Sequence, residues 1–234
     1  MDRPLVSVII AARNAERFLQ QALDSVMSQS YTHHETIVVD GHSTDGTADI
    51  ARSFPGVRHL LQKGTGFAVA WNEGLDASRG DLIAFLDSDD LWTSDKLALQ
   101  VERLGQDPRA DCVLGHLRFF LDNVDAVPPS FRLGLLDSAH PGWMPGTLLA
   151  RRSVFETVGR FGEEWEIASD VDWFARLKDS DTPVAMLPEV LLHKRVHGGN
   201  LSYNAARTPI VGREILRAVR HSVTRQHDRG GSGR

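Results

Sequence analysis

The chain has 234 residues, enough to bury one good-sized core, and its 41% hydrophobic and 24% charged residues are the balance of an ordinary globular protein. Its 26 basic and 31 acidic residues leave a formal net charge of −5, so bulk electrostatics give no reason to expect nucleic acid as the main ligand. The single cysteine, Cys112, excludes an intramolecular disulfide or a multi-cysteine metal site, and no window approaches a membrane span or a secretion signal; the expectation is a soluble, cytoplasmic protein.

Residues 5–11, LVSVIIA, form a β-branched run that reads as a buried strand. ERFLQQALDSVMSQ then spaces Phe18, Leu19, Ala22, Leu23, Val26 and Met27 as one face of a helix, with Asn14 as its expected N-cap. A second strand, ETIVVD, ends in the turn GHSTDGT and a short helix at 48–54, where Thr44 or Asp45 suits a cap. A weaker strand at 57–62, a helix over GFAVAWNEGLDAS and the strand DLIAFLD follow. Strands alternating with helices at these lengths predict βαβ units and a mostly parallel, doubly wound sheet.

The second half is less regular. A helix over KLALQVERL and a strand over CVLGHLRFFLD lead into a proline-containing loop stretch, then a strand at GTLLA and a helix start at RRSVFETVG. A helix over VDWFARLK, two strands (PVAML and EVLLHKRV) and a helix from about Pro209 to Gln226 complete the reading, with residues 227–234 as a disordered tail. Residues 1–226 are read as one domain: a regular half to about residue 92 and an irregular half beyond it.

Ligands of open α/β sheets bind at the carboxyl ends of the strands. Three such ends here are small and polar: Ala12-Arg13-Asn14, Asp40-Gly41-His42-Ser43 and Asp87-Ser88-Asp89. The third, in FLDSDDLW, packs Asp87, Asp89 and Asp90 directly behind an apolar run, where like charges repel and desolvation worsens the repulsion. The cluster therefore calls for a positive partner, and hard oxygen ligands suit Mg²⁺ or Mn²⁺ bridging to a diphosphate.

VSVIIAARN, VVDGHSTDGT, FLDSDDLW, ASDVDWFARL and RVHGGNLS, in this order, resemble the family 2 glycosyltransferases of GT-A fold, over about residues 5–202. The resemblance implies inverting, metal-dependent transfer of a sugar from a nucleotide donor, with UDP favoured, the half to about residue 92 binding the nucleotide and the irregular half beyond it the acceptor. It assigns metal binding to Asp89, ribose or metal-water contact to Asp87, and base contact to Asp40, whose carboxylate only accepts hydrogen bonds and so matches the uracil N3–H. Ala11, Ala12 and Asn14 line the base pocket, and Asp90 supports the metal ligands from behind. His197 is a further candidate metal ligand and Arg195 a candidate phosphate contact.

Asp170 matches the catalytic base, since an acceptor hydroxyl must lose its proton as it attacks. Asp172 is an acceptor-side candidate, although two residues apart on a helix the two carboxylates face different ways. Trp143 offers an aromatic face for acceptor stacking. Ser169 stands where relatives usually carry Glu, and Trp71 where many carry Arg. Gly66, Ala70, Asn72 and Gly74 match a family pattern, read here mainly as helix packing.

Three other readings compete. A catalytically degenerate sugar-nucleotide-binding protein would keep the pocket without turnover. A haloacid dehalogenase-like phosphatase shares the strand-then-Asp-x-Asp signature, normally on its first strand. A nucleotidylyltransferase or dinucleotide dehydrogenase would need a Gly-rich loop that AARNAERF lacks. Expected partners are the nucleotide sugar and an acceptor (saccharide, lipid-linked sugar, peptide or small molecule), with neither nucleic acid nor an integral membrane segment; a homodimer and peripheral membrane contact are also considered.

Overall fold

Strand β1 (Val6–Ala12) is buried along its whole length because helices cover both faces of the sheet it centres. Its alternation sends Val6, Val8, Ile10 and Ala12 into one core layer and Ile9 and Ala11 into the other. The computed structural model describes residues 3–122, 127–128, 131–200, 212–218 and 220–222. Around β1 pair β2 (His34–Asp40) and β4 (Leu82–Asp87), both parallel, and β3 (Val57–Leu61) extends the parallel array on β2. Beyond β4 come β8 (Leu149–Arg151), β6 (Cys112–Leu121), β9 (Val184–Val196) and the two-residue β5 (Leu91–Trp92); β7 (His140–Pro141) pairs with β6 off this path. Among the described residues every antiparallel pair involves one of the short strands β5, β7 and β8, so the expected mostly parallel α/β sheet is observed, and one sheet carries strands from both halves.

Helices α1 (Leu19–Met27) and α4 (Lys96–Gln106) contribute Leu19, Leu23, Val26, Leu97 and Leu104 to the first layer. In the second, α3 (Phe67–Ala77), α5 (Val154–Thr157) and α6 (Ser169–Asp179) pack an aromatic cluster against Phe85 of β4. Trp173, fully buried, stacks on Phe155 at 5.3 Å and donates its indole N–H to the Gly159 carbonyl at 2.8 Å, fixing α6 in place. Gly74 belongs to this packing: a Cβ there would lie 2.3 Å from Ile9 Cγ2, so α3 can approach β1 only without a side chain. Helix α2 (Thr47–Ser53) follows the turn after β2.

Several local expectations change. Asn14 does not cap a helix. It sits at φ +50° and accepts the Thr44 N–H at 2.9 Å, while α1 begins only at Leu19 after a turn through 15–18. The two strands expected near 183–196 are one, β9, with an irregular register opposite Gly115 that absorbs Pro188. Helical residues 212–218 and 220–222 fall within the last expected helix, while Pro209 and the tail at 227–234 lie outside the described residues.

One edge of the sheet carries a pH-dependent contact. Glu35 accepts from Ser7 Oγ (2.7 Å), from the Arg79 backbone N–H and guanidinium, and from Arg58 (3.2 Å). Burial alone would raise its carboxyl, but these donors outweigh burial and hold it below the usual value of 4.5. A depressed carboxyl stabilises the fold above its unfolded value and loses that contribution as pH falls through the folded one. Glu35→Gln is therefore expected to cost about 1.5–3 kcal/mol at neutral pH, with the gap to wild type narrowing below about pH 4.5. Urea unfolding of both proteins at pH 7 and pH 3.5 measures this, and a gap independent of pH would contradict it.

Candidate active site

Strand ends of β1 and β4, the N-terminus of α6 and the end of β9 converge on one cavity of about 530 Å³. Its wall includes Asn14, Asp87, Asp89, Asp170, Lys194 and His197. Five expected site residues thus meet in one place: Asn14, Asp87, Asp89, Asp170 and His197. The loops after β1 and β2 are tied together behind it, with Asn14 N–H on Ser43 Oγ (2.9 Å) and Ala15 N–H on Thr47 Oγ1 (2.7 Å).

The acidic cluster is held by a strand remote in sequence. Asp87, Asp89 and Asp90 can place one carboxylate oxygen each within 4.8 Å of the others. Lys194 on β9 sets its ammonium 3.0 Å from Asp90 Oδ2 and 3.4 Å from Asp87 Oδ2. Asp90, 0% exposed, turns inward and takes the Arg195 backbone N–H on its other oxygen at 2.8 Å. Asp89 accepts from His197 Nε2 and Asn200 Nδ2, each at 3.0 Å. Burial pushes the Asp90 carboxyl up to about 7 and raises that of Asp87, with neighbouring aspartates adding to both against the pull of Lys194. Burial opposes ionisation of Asp89 too, but the His197 hydrogen bond and the Lys194 charge outweigh it and keep that carboxyl low. Burial would also discharge Lys194, yet the three carboxylates raise its ammonium above the ordinary lysine value.

Asp170 stands in the first turn of α6 and accepts the Val171 N–H at 2.8 Å. Burial raises its carboxyl, and the negative charge of Asp87 raises it further. Asp172 points away from the cavity into an ion pair with Arg176 (2.8 Å), whose guanidinium also donates to the Val158 and Arg160 carbonyls. Two positions on a helix are about 200° apart, which separates the two carboxylates.

Five other expected positions lie off the cavity wall. Arg195 is 1% exposed: its guanidinium bonds Gln21 Oε1, the Asp89 carbonyl and Asp122, and packs over Phe18 and Phe120. It braces the loop and has no face toward a phosphate, which corrects the expectation for that residue. Trp143 is 51% exposed and meets Phe174 edge-on, while its neighbour Met144 lines the cavity. Ala11 and Ala12 are buried in the sheet. Asp40, 2% exposed, accepts from Ser43 N–H (2.8 Å) and pairs with His59 Nε2 (3.1 Å).

The sequence reading missed Lys194, Asn200 and Glu214. The helical segment at 212–218 sends Glu214 to accept the N–H groups of Glu166, Ile167 and Ala168 at 3.0, 2.9 and 3.1 Å, fixing the loop that enters α6. Only Lys194 carried a detectable sign: alternation along HKRVH puts it on the opposite face from Arg195. Trp71, also on the cavity wall, keeps a buried indole N–H with no partner among the described residues, at the position where many members of the resembled family carry Arg.

A parallel sheet of this order, with an acidic turn after β4 facing a cleft, defines the GT-A class of fold. The chain belongs to glycosyl transferase family 2, whose model matches residues 7–165. TuaG of Bacillus subtilis, named for teichuronic acid biosynthesis, is 43% identical over 105 residues, spanning 43% of this chain and 42% of that protein. The PGL/p-HBAD biosynthesis glycosyltransferase of Mycobacterium tuberculosis is 28% identical over 231 residues, covering 94% of this chain and 85% of its own length. Crystal structures of S. aureus TarS share the fold: the UDP-GlcNAc complex aligns with a TM-score of 0.74 at 19% identity over 94% of this chain and 66% of TarS, and the UDP complex with 0.66 at 21% over 82% and 60%. The chain thus spans under half of TuaG and about 60% of the aligned TarS chain in its UDP complex. Among the described residues, no helix is long and apolar enough to cross a membrane.

Proposed function

We propose that this protein transfers a sugar from a nucleoside diphosphate donor, UDP-linked, to an acceptor hydroxyl with inversion at the anomeric carbon. The observation that carries the reading is that Asp170 lines the same cavity as Asp87 and Asp89. Asp170 takes the proton of the acceptor hydroxyl as its oxygen forms the new bond to the anomeric carbon, while the bond to the diphosphate oxygen breaks on the opposite face. Its raised carboxyl brings it closer to the basicity this task needs. Asp87 and Asp89 would hold Mg²⁺ or Mn²⁺, since such ions accept hard carboxylate oxygens, and His197 would join them on giving up its hydrogen bond to Asp89. A bound divalent ion supplies charge neutralisation for the departing diphosphate. The base contact in this reading is Asp40, an acceptor-only carboxylate at the end of β2 that is already bonded to Ser43 and His59. The TarS complexes with UDP and UDP-GlcNAc support uridine as the first nucleotide to test.

A thermal-shift series with UDP, GDP and dTDP, each with Mn²⁺ or EDTA, tests the donor assignment. UDP with Mn²⁺ is expected to give the largest rise in Tm, because a ligand at a hundred times its Kd adds about 2.7 kcal/mol to stability. No stabilisation by any nucleotide in the presence of Mn²⁺ would remove the donor reading and favour a different ligand for the cavity.

A further inference from the structure

Lys194 answers the charge problem that the acidic turn sets before any ion arrives. Its side chain is 14% exposed and lines the cavity, with the ammonium between Asp87 and Asp90. The ammonium offsets part of the carboxylate charge there, so the cluster presents less negative charge than its three aspartates carry. An ammonium carries three donors; two are directed at Asp87 and Asp90, which leaves one for a ligand oxygen in the cavity. The guanidinium next to it in sequence is already consumed, so Arg195 cannot supply that contact.

We propose that Lys194 is a resident counter-cation of the acidic cluster: it weakens capture of a divalent ion by the nucleotide-free protein and donates to the diphosphate once the donor enters. Resting on the donor reading above, this makes the two ligands interdependent. The lysine competes electrostatically with a lone ion. The diphosphate adds negative charge and engages the ammonium, so tight ion binding follows nucleotide binding. At a few ångströms and the effective dielectric of a partly buried site, one positive charge is enough to change ion affinity by an order of magnitude or more.

The test is calorimetric titration of the full chain at pH 8 with Mn²⁺ alone, and with UDP in EDTA. Lys194→Met is expected to bind Mn²⁺ alone about tenfold or more tighter than wild type and UDP in EDTA about tenfold or more weaker. Opposite signs for the two ligands separate this role from general damage to the site, which would weaken both. Lys194→Arg is expected to keep both affinities close to wild type. Asp90→Asn in the Lys194→Met background restores the charge count and should return Mn²⁺ affinity toward wild type; it also serves if the single variant fails to fold, because it removes the unpaired buried carboxylate. Mn²⁺ affinity that is unchanged or weaker in Lys194→Met, or no Mn²⁺ binding by either protein, overturns the proposal. Failure of UDP to bind wild type even with Mn²⁺ would strike the donor assignment instead, and the Mn²⁺ titration would still decide the role of Lys194.

Discussion

Replacing Asp170 with Asn is expected to lower turnover by roughly a hundred- to ten-thousand-fold, the contribution of a positioned general base. The amide keeps the shape of the carboxylate and can still accept the Val171 N–H, so α6 should stay in place. Donor and ion binding should persist, because Asp87 and Asp89 come from a different segment of the chain. The pH profile supplies a second readout. A base works when deprotonated, so turnover should fall as pH drops through the Asp170 value, which burial places above the ordinary carboxylate range. Asp172→Asn separates neighbouring roles: it breaks the ion pair with Arg176 and should lower stability more than turnover. Steady-state rates and UDP affinity of both variants check this, and an Asp170→Asn enzyme with near wild-type turnover would end the general-base assignment.

The second large effect is expected at Asp89. Asp89→Ala should abolish most of the extra stabilisation that Mn²⁺ gives to the UDP complex, on the order of 2–3 kcal/mol at saturating ligand. Its carboxylate is the one kept most firmly ionised, by the His197 bond and the Lys194 charge, and it faces the cavity. Thermal melts with UDP, with and without Mn²⁺, measure the loss, and an undiminished ion-linked shift would sink the ligand assignment. Asp40→Ala makes the contrasting case: UDP affinity should drop while binding of Mn²⁺ alone remains, since Asp40 lies outside the acidic cluster.

Family membership has a limited reach here. It accounts for the sheet and the acidic turn, but the relatives differ in what their names attach to, teichuronic acid in one case and PGL/p-HBAD in another. The cavity wall also includes Met144, Glu166, Ile167 and Trp71. Glu214 holds the backbone of Glu166 and Ile167, so that part of the wall and the helical segment at 212–218 are physically connected.

The sequence alone was sufficient for most of what depends on neighbours in the chain, the Asn14 cap and the division of β9 excepted. An apolar β-branched run followed by a carboxylate reads as a strand end, and the strand–helix alternation then favours parallel pairing, placing Asp40 and Asp87 at the same end of the sheet. Helical angle already separated Asp170 from Asp172. What the tertiary structure decided was which side chain of a remote strand reaches the cluster. On β9, pleating alternates the faces, and pairing with β5 and β6 turns Lys194 toward Asp87 and Asp90 while Arg195 goes under Phe18. A shift of one residue would exchange them. That register rests on the irregular pairing near Gly115 and on packing between segments about a hundred residues apart, and no local pattern encodes it.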